Sequence, residues 1–145
     1  MGREIMFAVD VDADPKVVFE AVSTEAGLKS FWTPNVSAEP EVGSIARFGF
    51  EGAPVALRMR VDRLDPATEV AWTCVGDFPH WEGTQVRWRM SPNPEGLGTR
   101  LTFSHTGWPP DQPEHEYASV SYTWGQVVAR LHDVVPAGTV DPYLS

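Results

Sequence analysis

Residues 113–135 read PEHEYASVSYTWGQVVARLHDVV. Tyr117, Val120, Ser121, Trp124, Val127, Val128, Leu131 and Val135 recur at intervals of three and four, so they share one helical face, which Pro136 and Gly138 should close. The residues before this helix read mostly as alternating strands, and no second helix of similar length accompanies it. The apolar stripe must therefore be buried against the sheet those strands form. A sheet wrapped around one helix can leave an internal space, and here both sides supply aromatic rings.

Working outward, Ile5, Phe7, Val9 and Val11 alternate with Met6, Ala8, Asp10 and Asp12, so the chain opens with a strand. Asp14-Pro15 is a helix start, with a carboxylate to cap free amides and a proline where no amide hydrogen is needed. Thr24-Glu25 starts a second short helix ending near Leu28, Phe31 and Trp32. Gly43 precedes a strand carrying Phe48 and Phe50. Val55, Leu57, Met59 and Val61 alternate with Ala56, Arg58 and Arg60 as a half-exposed strand. After the turn at residues 65–68, Val70, Trp72 and Cys74 share a face. Val86, Trp88 and Met90 point inward from the next strand, and Leu101, Phe103 and His105 from the one that follows the loop at residues 92–98.

The chain has 145 residues, 42% of them hydrophobic, which suffices for one domain spanning residues 1–145 with a real core. A net charge of −9 argues against nucleic acid or an anionic membrane as a partner. The single cysteine, Cys74, excludes an internal disulfide and suits a reducing cytoplasm. With no signal segment and no apolar run of spanning length, the expectation is a cytoplasmic protein.

The order of landmarks resembles the helix-grip superfamily of START domains, plant pathogenesis-related proteins and polyketide cyclases. Within it the chain is most similar to small bacterial proteins related to the activator of the 90-kDa heat-shock protein ATPase. The matching residues are Asp14-Pro15 with Val18-Phe19, Leu28 with Phe31-Trp32, Val42-Gly43-Ser44, Asp65-Pro66, Glu82-Gly83-Thr84 and Gly98-Thr99-Arg100-Leu101. Gly107-Trp108, Trp124 with Val128 and Leu131, and an ending from Gly138 to Tyr143 complete them. Thr123 stands where glycine is frequent in the family, and the glycine falls at Gly125 instead. The resemblance implies an α+β helix-grip fold. A curved antiparallel sheet of about six or seven strands would wrap one long C-terminal helix, with two short helices after the first strand. It does not fix a function, because the fold carries lipid carriers, receptors, cyclases and cochaperone modules alike.

Metal chemistry has no support in the spacing of His80, His105, His115 and His132, and no cofactor motif or serine elbow occurs. Cys74 reads as a buried small hydrophobe. His105 is the one catalytic candidate. By alternation it points inward, either as a neutral hydrogen-bonded core histidine or as a polar contact or general base at a pocket mouth. Trp81 either caps the core or lines a pocket entrance, while His80 and Glu82, its neighbours in an extended chain, would point away from it. Glu114, His115 and Glu116 read as capping and solvating the helix start, and Arg47 as facing solvent.

The leading expectation is a binding module for a small, largely apolar molecule held between the final helix and the sheet. Its ligand-binding residues would be Phe48, Met59, Trp72, Trp81, Trp88, Phe103, His105 and Trp124. The same rings could instead simply fill the core. Two alternatives remain: a cyclase- or aromatase-like enzyme, against which the lack of an inward carboxylate on the strands counts, and a chaperone-interacting module. The chain is expected to be a monomer or a weak homodimer.

Overall fold

The computed structural model describes residues 3–76, 78 and 80–138, without the side chains of the last two. The family-like ending therefore lies outside the described residues from Thr139 on. Strand β1 (Ile5–Val11) leads into helices α1 (Pro15–Ser23) and α2 (Glu25–Phe31). Strands β2 (Asn35–Ser37), β3 (Ile45–Gly49), β4 (Leu57–Asp65), β5 (Glu69–Cys74), β6 (Gln85–Pro92) and β7 (Thr99–Thr106) follow, and then helix α3 (Glu114–Gly138). The seven strands form one antiparallel sheet in the order β1-β7-β6-β5-β4-β3-β2. This is the helix-grip architecture, with α1 and α2 beside the long helix.

Alternation sets the inner face. Val70, Trp72, Cys74, Val86, Trp88, Met90, Leu101, Phe103 and His105 are all buried, and Trp124, Val128 and Leu131 close over them from α3. A register shift between Val61 and Arg63 interrupts the β4–β5 pairing, an irregularity that bends a strand locally. The α3 helix is anchored at both ends. Tyr117 donates to the carbonyl of Glu4 at 2.8 Å, and Arg130 donates through Nε to the carbonyl of Phe31 at 2.9 Å.

Three local expectations need correction. Asp14 caps α1 through its backbone carbonyl, which accepts from Val17 and Val18, and its side chain makes no capping bond. Thr24 does cap α2 with its hydroxyl, accepting from Gly27 N at 3.0 Å. Helix α3 runs through Pro136 to Gly138, since a proline in the last turn removes only one of the final amide donors. Val55 lies outside β4 and is 37% exposed, and β2 is a strand too short to leave a periodic signature.

Candidate functional site

Between the first half of α3 and the rim of the sheet lies a half-open cavity of about 410 Å³. Trp32, which follows α2, forms one wall with Leu57 at the start of β4. Phe50 and Ala53, from the loop between β3 and β4, form a second. Phe78 and Trp81 reach in from the loop between β5 and β6, and α3 contributes Glu116, Ser119, Val120, Thr123, Trp124 and Val127. Residues 116, 120, 124 and 127 share one helical face, which is why the cavity follows the helix axis. The rings support one another. Trp32 lies 4.9 Å from Trp124 and 6.0 Å from Phe50, and Phe78 meets Trp81 edge-on at 5.5 Å. A volume of this size with mainly aromatic and aliphatic walls matches the usual small-molecule site.

The polar groups gather at the rim. His80 adopts a left-handed backbone conformation, with φ of 67°, which turns its ring towards α3. There its Nδ1 lies 2.8 Å from Oε2 of Glu116, which also accepts from Nε2 of Gln112 at 3.4 Å. Alternation along an extended loop could not reveal this pairing. The available signal was that Glu116 precedes Val120 and Trp124 by four and eight residues, and so belongs to their face.

Beneath the cavity, His105 is completely buried and both ring nitrogens are bonded. The Nε1–H of Trp124 donates to Nδ1 at 3.0 Å, so the ring proton sits on Nε2 and donates to Oγ1 of Thr84 at 2.9 Å. The Thr84 hydroxyl in turn donates to the carbonyl of Trp81 at 2.6 Å. Burial drives the histidine pKa down to about 3, and the neutral tautomer is the one this chain of bonds requires. Neither nitrogen of His105 faces the cavity. Its chemical effect is to tie Trp124 on the helix to Trp81 on the loop.

Of the eight residues expected to bind a ligand, Trp81 and Trp124 line the cavity. Phe48, Met59, Trp72, Trp88, Phe103 and His105 pack as a buried layer below it. The reason is volume: Trp88 sits 4.7 Å from Phe103 and 6.1 Å from Trp124, so large rings fill the space over the middle of the sheet. The cavity opens beside the first half of α3, where loops replace strands. Sequence reasoning missed Trp32, Phe50 and Val120 as walls and Glu116 as the rim carboxylate. Burial raises the pKa of the Cys74 thiol, and Arg47 is exposed. Among the described residues no cluster of His, Cys, Asp and Glu could hold a metal ion, and no helix is long and apolar enough to cross a membrane.

Residues 12–135 match the family model of the Activator of Hsp90 ATPase homolog 1-like protein. No curated protein matches the chain. Among solved structures, Aha1 from Colwellia psychrerythraea, determined in solution as a dimer, is 26% identical with a TM-score of 0.81, over 94% of this chain and 98% of that one. The protein MLL2253 from Mesorhizobium loti superposes with a TM-score of 0.78 at 18% identity, over 93% and 98% of the two chains, a likeness of fold alone. DynU16, a protein in the dynemicin biosynthetic locus, is 25% identical with a TM-score of 0.74. It is matched over 93% of this chain and 48% of its own.

Proposed function

The chain belongs to the Activator of Hsp90 ATPase homolog 1-like family, and from that premise we propose that it binds a small, largely apolar molecule in the cavity between α3 and the sheet rim. The observation that carries this reading is the cavity of about 410 Å³ to which every contributing element brings aromatic or aliphatic side chains. Apolar surface left open in this way is stabilised when a ligand removes it from water, by about 25 cal/mol per Å². Trp81 and Trp124, held through His105 and Thr84, would supply fixed walls, so little ordering would oppose binding.

Nile red, an uncharged apolar dye, tests the reading. One dye per chain should bind, and Val120→Trp, which fills the cavity from α3, should weaken binding at least tenfold. Equal binding by the filled variant, or no binding by the unaltered chain, would sink the proposal. Native mass spectrometry of freshly purified protein would then identify what the cavity carries.

A second reading, contact with a chaperone, is supported by the family description and by the likeness to the Colwellia Aha1. Stimulation of an Hsp90 ATPase by this chain would support it, and a rate unchanged at saturating protein would count against it. Catalysis is the weaker use of the same cavity, because His105 is enclosed and fully bonded. The rim pair of His80 and Glu116 is the titratable pair that a substrate in the cavity could approach.

A further inference from the structure

Glu116 is the only charged side chain among the described residues lining the cavity. Both of its hydrogen bonds end on one oxygen: His80 and Gln112 reach Oε2, and no donor among the described residues reaches Oε1. The Glu116 side chain is 30% accessible, so water can satisfy Oε1 now and a ligand can replace that water. No lysine or arginine lines the cavity among the described residues. The site therefore discriminates by sign. A ligand carboxylate would place a second negative charge near Glu116, where the neighbouring group able to carry positive charge, His80, is already paired with Oε2. A protonated amine would give Oε1 a charged donor. The net charge of −9 adds a long-range field of the same preference.

We propose that the cavity selects lipophilic amines, with the apolar body against Trp32, Phe50 and Val120 and the ammonium group at Oε1 of Glu116. This inference rests on the cavity being a ligand site, and it adds the chemical class of the ligand. Fatty acids and other apolar anions are disfavoured by the same arrangement.

Three probes with one ring system separate the ligand class from the cavity itself: naphthylmethylamine, naphthylmethanol and naphthoic acid, titrated calorimetrically at neutral pH. The amine should bind about tenfold more tightly than the alcohol, a modest factor because the rim is partly solvated. The acid should bind most weakly. In Glu116→Gln, which keeps the side-chain shape, the amine-to-alcohol ratio should fall towards one, and added salt should lower the ratio in the unaltered chain. An acid that binds as tightly as the amine, or a ratio untouched by Glu116→Gln, would overturn the inference while leaving the cavity reading intact. Failure of both the amine and the alcohol to bind would overturn the cavity reading and this inference with it.

Discussion

Trp124 gives its indole N–H to Nδ1 of His105 at 3.0 Å, inside a region where neither residue touches solvent appreciably. A donor on the helix is thereby matched to an acceptor on the last strand. The bond selects the histidine tautomer that in turn holds Thr84 and the loop carrying Trp81.

Two buried tryptophans make an internal comparison. Trp124 has its N–H satisfied, whereas Nε1 of Trp88 is buried without a partner among the described residues. Replacing either by phenylalanine removes similar volume, but only Trp124→Phe strips Nδ1 of His105 of its donor. Trp124→Phe should therefore cost about 1–3 kcal/mol more than Trp88→Phe. Chemical denaturation midpoints measure the difference, and equal losses would show that the bond contributes nothing net.

The pH dependence follows from the folded-state pKa of about 3 for His105. An unfolded histidine takes up its proton near pH 6.5, so between that value and about 3 the unfolded chain binds more protons and stability falls as pH falls. The loss attributable to His105 should reach about 2 kcal/mol at pH 5. His105→Gln has nothing to titrate there. Its stability curve between pH 7 and 5 should be flatter than that of the unaltered chain, and parallel curves would refute the assignment.

Two helical glycines should respond oppositely to alanine. At Gly125 an added Cβ would meet only the ring of Phe7, at 3.6 Å, an ordinary contact. Gly125→Ala should then stabilise by up to about 1 kcal/mol through helix propensity. At Gly27 the added atom would stand 2.5 Å from the Cα and carbonyl oxygen of Ala21, backbone that cannot yield without moving α1. Gly27→Ala should destabilise by about 1–3 kcal/mol. Thermal midpoints that move together in both variants would contradict the packing described for α1 and α2.

The elements that could be read from the residues were those whose burial repeats. The periods of two and of three to four place β1, β4 to β7 and α3, and they put His105 on the inner face. Strand β2 has one buried residue, Val36, flanked by exposed Asn35 and Ser37, and exists because it pairs with β3 at the sheet edge. The site was less legible for two reasons. Phase shows which side chains point inward but not whether they leave room, so the layer of Trp72, Trp88 and Phe103 could not be told from a cavity wall. The rim pair joins His80 to Glu116 across 36 positions, through a left-handed residue that breaks the alternation used to orient the loop.

Among the described residues strand β1 sits at one edge of the sheet and pairs with β7, where Ile5 stands opposite His105. During synthesis β1 therefore emerges long before β7, the strand it pairs with, exists. The meander from β3 to β7 can zip up through neighbouring hairpins and receive Phe31 of α2 against Trp88, yet the part of its apolar face under Trp124 stays uncovered until α3 is available. Folding should thus be limited by joining β1 to β7, the slow class of event for a topology rich in distant contacts. The interval before α3 docks is when the chain is most prone to self-association.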